Sequence, residues 1–212
     1  MSNEVKTKEK VDMDPKYILE LTLKLFITCV VVAGLLGGVN AITADKIAAI
    51  NWENTQTAMK AVVADPDNST FSDALDLTDE MTAAALSGGA TLTEAYEVQV
   101  GGAVAGHALK VVASGSQGSI EMMVGLDAEG VVTGVSIVSH SETAGIGTKI
   151  MENEPTTANP AVGVLDQFQG KSAADGTLTV GSNVDAITGA TVSTKGVTAG
   201  VNAALAVAGV LG

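Results

Sequence analysis

Four hydroxyl side chains crowd into ten residues, Asp185-Ala186-Ile187-Thr188-Gly189-Ala190-Thr191-Val192-Ser193-Thr194. Gly189 and Ala190 are small enough to let the backbone approach a ligand, and the run leads into an apolar periodic segment that reads as a helix. A helix N-terminus offers N–H groups without internal partners and a partial positive charge, which suits a phosphate. The chain contains no Arg to clamp such a group, so main-chain amides and hydroxyls would have to hold it. An ordinary capped helix after a Gly turn would present the same residues. A second cluster lies upstream, Ser139-His140-Ser141-Glu142-Thr143-Ala144-Gly145-Ile146-Gly147. Here Glu142 and Thr143 offer hydrogen-bonding groups, and Gly145 and Gly147 permit close backbone approach. The sequence offers no catalytic triad, no paired acid and base, and no metal-ligand spacing, so no catalytic or metal-binding residue is expected.

The two clusters resemble the two signatures of one family. Asp185-x-x-Thr188-Gly189-Ala190-Thr191 is similar to the flavinylation motif of the FMN-binding domain found in the G subunit of Rnf complexes and the C subunit of the Na⁺-translocating NADH:quinone reductase. The upstream cluster resembles the family's H-x-E-T-P-G-x-G segment, with Ala144 where Pro is usual; Thr188 stands where Ser is common. Further similarities are the Asp127 to Gly130 turn, Phe168-x-Gly170-Lys171 and Asn202 in the closing helix. In that family a flavin transferase joins FMN through its phosphate to the last Thr of the motif, as a phosphoester. The resemblance implies covalent FMN on Thr191, with Asp185, Thr188, Gly189, Ala190, Ser193 and Thr194 around the attachment and Asp185 helping the transferase engage the loop. It also implies contacts from His140, Glu142, Thr143, Gly145 and Gly147, with Glu142 and Thr143 either bonding the flavin or orienting their loop. His140 also reads as a strand-end histidine without a flavin contact, and His107 reads as a strand residue.

The elements that must position these residues read as α+β. Tyr96–Val100, His107–Ala113, Ser119–Leu126 and Val131–His140 are β-rich runs separated by Gly and Ser clusters, with a hairpin-like turn at Asp127-Ala128-Glu129-Gly130. Thr78 to Leu86 reads as a short helix closed by Gly88-Gly89, Leu165–Gln169 as another, and Leu178–Val180 as a short strand. Asp65 to Ser69 is a break. The closing helix runs from Ser193 or Thr194, as N-cap, to about Val210, with Val197, Val201, Leu205 and Ala208 on one face. Strands and helices do not alternate as βαβ units, so an antiparallel sheet with flanking helices is expected. Met122-Met123 reads as core packing.

Mean hydropathy is high, +0.34, for a chain with 11 Lys against 24 acids and a net charge of −13. The apolar residues concentrate in Leu25 to Ala44, 20 uncharged residues between Lys24 and Asp45. A helix of that length spans roughly 30 Å, the thickness of a bilayer's hydrocarbon core. Residues 1–24 hold five Lys (Lys6, Lys8, Lys10, Lys16, Lys24) and five acids, whereas residues 45–212 hold six Lys and 19 acids. Lys density beside the span predicts a cytoplasmic N-terminus and an outer domain. A cleaved signal peptide, with Val39-Asn40-Ala41 as a weak cleavage site, is the alternative; the long, acid-containing leader and the length of the apolar run oppose it. Gly34 and Gly38 form a GxxxG pair that would let another helix approach, and Trp52 reads as an interfacial anchor. An acidic chain without Arg excludes a nucleic-acid partner, and the lone Cys29 excludes disulfides, a Cys₄ cluster and haem attachment.

These readings give a tail over 1–24, one transmembrane helix over 25–44, a stalk and helical lead-in over 45–90, and an FMN-binding domain over 91–212. The function implied by the resemblance is electron relay between other membrane subunits of an Rnf-type ion-translocating ferredoxin:NAD⁺ oxidoreductase. The chain would be single-pass in the cell (inner) membrane, with the flavin on the outer, periplasmic side, and would carry no catalysis alone. The C subunit of the quinone reductase, or a freestanding membrane-anchored FMN carrier, is the near alternative. A non-enzymatic anchored surface protein is the alternative of another class, and it leaves the Thr-Gly-Ala-Thr segment without a purpose.

Overall fold

The computed structural model describes residues 14–211; most of the expected tail, with Lys6, Lys8 and Lys10, lies outside them. Two compact units divide the chain, the first ending at Ala49 and the second beginning at Ile50.

The first element, α1 (Pro15–Ala61), is one helix of 47 residues. It takes in the expected span, the ten residues before it and the first part of the expected stalk, because no Pro or helix-breaking turn interrupts the run after Pro15 until Asp65-Pro66. The span's side chains are exposed, with Thr43 alone among residues 25–44 partly covered. A helix of that length and hydropathy, uncovered by protein, is long and apolar enough to cross a membrane.

In the second unit a five-stranded antiparallel sheet runs in chain order: β1 (Ser69–Phe71), β2 (Thr91–Val100), β3 (Ala103–Ser114), β4 (Ser119–Asp127) and β5 (Val132–His140). The turn between β2 and β3 is Gly101-Gly102, both at positive φ, as a tight hairpin connection demands. At the β4–β5 turn Asp127 Oδ1 accepts from Glu129 N (3.0 Å) and Val131 N (2.8 Å), and Gly130 takes φ +77°. Helix α2 (Asp79–Gly88) starts on Thr78, whose hydroxyl accepts from Met81 N at 3.2 Å, and stops at Gly89 in the left-handed region.

Alternation along the strands covers both faces of the sheet. Leu109, Val111, Ile120, Met122 and Val124 pack with α2 and α4 (Thr191–Leu211) in the larger core. Tyr96, Val98, Ala108, Met123 and Val138 pack with Ala58, Met59 and Val62 on the other face. Met122 and Met123 are both fully buried. Val197, Val201 and Leu205 of α4 face the core and Ala208 packs at its edge. Each such side chain contributes roughly 1.5–3 kcal/mol on burial. Although α4 is also apolar enough to pass as a span, 56% of its apolar stretch is buried against the sheet.

The sheet extends beyond the expected runs. β2 begins at Thr91, where Leu92 is buried while Thr91 and Thr93 face out; β3 begins at Ala103, directly after its turn. β1 is an addition to the sequence reading: Ser69, part of the expected break, pairs with Val100. A short helix α3 (Thr148–Met151) is also new, and the expected helix at Leu165–Gln169 is a 3₁₀ turn, Asp166–Phe168. Leu178–Val180 is not a strand. The main chain of Leu178 is taken by Asn202, whose Oδ1 accepts from Leu178 N and whose Nδ2 donates to Leu178 O, both at 2.9 Å. Thr179 N is taken by Asn183 Oδ1 (2.6 Å), which leaves only a single bridge from Val180 to Val184. Finally, α4 starts at Thr191, so Ser193 and Thr194 lie inside its first turn and do not cap it.

Candidate functional site

The loop before α4 is held from both sides. Asp185 N donates to Gln167 Oε1 (2.7 Å) and Gln167 Nε2 donates back to Asp185 O (3.0 Å), so one side-chain amide reads the loop's main chain as a strand neighbour would. Ala190 N then donates to Ile187 O (2.9 Å) around Gly189, which takes φ +87°. Only Gly adopts that conformation without strain, and it turns the chain into α4.

The four hydroxyls separate at this point. Thr188 and Thr191 are exposed, whereas Ser193 (1%) and Thr194 (0%) are buried. Thr194 Oγ1 donates to Ala190 O (3.0 Å), and Ser193 Oγ donates to Glu142 Oε2. Thr191 is therefore the exposed hydroxyl on the first residue of the helix, beside N–H groups that have no partner within the helix.

The upstream cluster meets this turn through Glu142. Its side chain is buried, and its Oε1 accepts from Ser116 N (2.7 Å) and Gln117 N (3.2 Å) in the β3–β4 turn. Burial disfavours its charge, but the hydrogen bonds from Ser193, Gln117 and Ser116, helped by His140, outweigh that and hold its pKa below the ordinary carboxylate value. The site thus keeps a buried anion near the positive end of α4, a favourable placement. Of the two uses expected for Glu142, the structure aims its carboxylate inward, at protein partners. His140 is exposed at the end of β5, with Nδ1 accepting from Glu142 N (3.2 Å). His107 lies half-buried in β3, and burial lowers its pKa against a smaller opposing pull from Glu97.

Thr143, Gly147, Gly189, Ala190, Thr191 and Ser193 line one pocket of about 150 Å³ with Glu142, Ser116, Ile146 and Val192. Gly145 N is held by Thr148 Oγ1 (2.9 Å) at the loop's outer side. Asp185, Thr188, Thr194, His140 and Gly145 do not line the pocket. Ligand pockets that enclose a small molecule run from about 300 Å³ upward. A pocket of this size admits a group about as large as a phosphate. Larger clefts, about 480 Å³ beside Trp52 and Tyr96, about 400 Å³ beside Leu86 and Val112 and about 370 Å³ beside His107, contain none of the hydroxyl segment.

A family model described as the FMN-binding domain matches residues 115–206, from the β3–β4 turn through most of α4. The G subunit of the Na⁺-translocating ferredoxin:NAD⁺ oxidoreductase complex of Acetobacterium woodii is 36% identical, over 96% of this chain and 97% of its own length. The chain belongs to the family of Rnf G subunits. The G subunit of the proton-translocating ferredoxin:NAD⁺ oxidoreductase complex of Clostridium ljungdahlii is 28% identical, over 92% of this chain and 93% of its own length. That of the ion-translocating oxidoreductase complex of Methanosarcina acetivorans is 28% identical, over 87% of this chain and 90% of its own length. These relatives are subunits of ion-translocating oxidoreductases, and an FMN-binding domain makes this chain a flavoprotein of electron transport.

Within this Rnf-family fold the residues present fit FMN. The exposed Thr191 hydroxyl, the amides of α4's first turn and a pocket sized for the phosphate end meet at one place. Sequence reasoning passes over three contributors. Gln167 is hidden because its partner is main chain 18 residues away. The Ser116 and Gln117 amides carry no side-chain signal, although Gly115 and Gly118 mark the tight turn that aims them. Lys195 is exposed four residues after Thr191 and so stands on the same face of α4, which puts a cation on that face.

Proposed function

We propose that Thr191 carries FMN as a phosphoester, attached by a flavin transferase, and that the chain relays electrons between other membrane subunits of an Rnf-type complex. The observation that carries this reading is the pairing of an exposed helix-start hydroxyl with a pocket too small to enclose FMN. A pocket of about 150 Å³ lies below the usual range for pockets that enclose a small molecule, so contact there covers only part of a flavin. A covalent bond removes the need for retention by contact and leaves the ring at the surface for exchange with neighbouring subunits. Thr191 provides the oxygen, the first-turn amides and Lys195 hold the phosphate, and Asp185, fixed through its main chain by Gln167, presents its exposed carboxylate to the transferase. Thr188, Gly189, Ala190, Ser193 and Thr194 shape the loop and turn; Thr143 and Gly147 shape the facing wall, flanked in sequence by Gly145 and the exposed His140 outside the pocket. FMN bound there supplies reversible electron uptake, and the protein supplies position and surroundings.

The reading includes a single pass of α1 through the cell membrane, with the N-terminus cytoplasmic and the flavin domain outside. The five Lys of residues 1–24, against two (Lys46 and Lys60) in residues 45–64, support that orientation. Native protein made alongside an active flavin transferase should exceed its sequence mass by one FMN less one water. Thr191→Ala should lack both that excess and the flavin absorbance. An unmodified wild-type mass under those conditions overturns the proposal.

A further inference from the structure

Glu142 has a buried carboxylate that electron relay does not itself use. Three segments distant in sequence converge on it: the β3–β4 turn through Ser116 N (2.7 Å) and Gln117 N (3.2 Å), the β5–α3 loop that carries Glu142, and the first turn of α4 through Ser193 Oγ. Two glycines are shaped around it. A Cβ on Gly147 would lie 2.6 Å from Oε2, and one on Gly115 would strike Oε1. Both carboxylate oxygens are engaged by protein donors, so neither is aimed at a ligand. Ser193 and Thr191 are two residues apart on a helix, about 200° around its axis. Holding one inward therefore turns the other outward.

We propose that Glu142 is a positioning residue that determines which hydroxyl receives the flavin. By binding Ser193 Oγ it fixes the rotation of α4's first turn, presents Thr191 to the transferase, and withdraws Ser193 as a competing acceptor. This rests on the reading that Thr191 carries FMN. In the attachment step Thr191 Oγ forms a bond to the phosphorus of an activated flavin nucleotide in which the FMN phosphate is part of an anhydride. The bond from that phosphorus to its leaving nucleotide breaks, the leaving group departs with the electron pair, and the hydroxyl proton passes to a base of the transferase. No oxidation or reduction occurs. A Ser193 released from Glu142 carries the same nucleophile two residues along the chain.

The test is a time course of flavin attachment to the full-length chain in the presence of its transferase, read by intact mass and by peptide mapping. Loss of hydrogen bonds to a charged group predicts that Glu142→Ala slows attachment about ten-fold and diverts a measurable share of flavin to Ser193. Glu142→Gln keeps an acceptor for the Ser116 and Gln117 amides and a donor that Ser193 can accept from, so it should restore the rate to within about two-fold of wild type. Ser193→Ala leaves both main-chain bonds to Glu142 in place and should slow attachment about three-fold, all of it at Thr191. Should Glu142→Ala lose cooperative thermal unfolding, the Ser193→Ala and Glu142→Gln pair decides. Wild-type rates confined to Thr191 in folded Glu142→Ala, or in Ser193→Ala, overturn the positioning role. So does a Glu142→Gln rate far below wild type, because geometry would then not be what Glu142 supplies. A Thr191→Ala protein that keeps its flavin instead overturns the Thr191 reading and leaves the two failures distinct.

Discussion

Substituting alanine for glycine within α4 should change stability in opposite directions at Gly196 and Gly209. Alanine is ordinarily favoured over glycine inside a helix by about 1 kcal/mol. A Cβ on Gly196 would strike the carbonyl oxygen of Ser114 and lie 3.2 Å from its carbon. That carbonyl ends β3 and cannot withdraw freely. Gly115 N is bound to Gly118 O at 2.7 Å, and the next two amides are bound to Glu142. Overpacking a filled contact costs about 1–3 kcal/mol, and a clash with main chain belongs at the upper end. Gly196→Ala should therefore lose about 1–2 kcal/mol net of its helix-propensity gain. At Gly209 an added Cβ meets nothing within 4 Å, so alanine there should be neutral or gain up to about 1 kcal/mol.

For a chain of this size 1 kcal/mol moves the midpoint by about 2–4 °C, so Gly196→Ala should lower Tm by about 2–8 °C while Gly209→Ala leaves it unchanged or raises it. Thermal unfolding of the detergent-solubilised full chain can be followed through Trp52, the chain's single Trp, which lines a cleft with Tyr96 and Phe71 in the second unit. A Gly196→Ala protein as stable as Gly209→Ala would contradict this account. It would mean that α4 does not seat against the end of β3, and that the Glu142 link between turn and helix is not held by packing.

Three further outcomes are expected. Gln167→Ala removes both bonds to the Asp185 main chain and one to Val164 O (2.7 Å), so hydrogen exchange across residues 185–189 should quicken about ten-fold; unchanged exchange would show that the loop is held otherwise. Asn202→Leu strands the N–H and C=O of Leu178, whose side chain is buried, and should destabilise by about 2–4 kcal/mol, measured as a lowered urea midpoint. Acidification should weaken the fold in two steps. Folded His107, with its pKa depressed below 6.5, binds fewer protons than the unfolded chain, so stability falls as pH drops through that window. Glu142, also depressed, contributes stability above its ordinary 4.5 that is lost as pH falls through its lower folded value. His107→Gln should flatten the first step in a Tm–pH profile and Glu142→Gln the second, and a wild-type profile without slope from about pH 7 to about pH 4 would contradict both.

What the sequence makes legible here is what local physics decides. The apolar run of α1, the glycine turns at 101–102 and 127–130, and the inward stripe of α4 follow from hydropathy and φ preference alone. The misread places are those where a distant side chain takes over main chain. Leu178–Val180 has strand composition, yet Asn202, 24 residues on, binds both main-chain groups of Leu178 and pre-empts a ladder. Glu142 reads as a group that bonds the flavin or orients its loop, and only folding shows the partners it meets, amides 25 and 26 residues upstream and a hydroxyl 51 residues downstream.

Reading Ser193 or Thr194 as an N-cap fails for a more instructive reason, because the apolar stripe itself contradicts it. Val197, Val201 and Leu205 recur every fourth residue, and one step back along the same row is Ser193. A row that is buried from 197 to 205 stays buried at 193 if the helix reaches that far, as it does. A side chain on that row points at the sheet and cannot fold back to cap its own helix; it needs an acceptor in the core, and Glu142 supplies one. Thr191 and Lys195, each two residues from Ser193 and so on the opposite side of the helix, are both exposed. The periodicity that builds the core thus also sorts the hydroxyls of the motif. The burial of Val197 and Val201 sets the rotation of the helix body, and the bond from Ser193 to Glu142 carries it through the first turn, where Thr191 is left available.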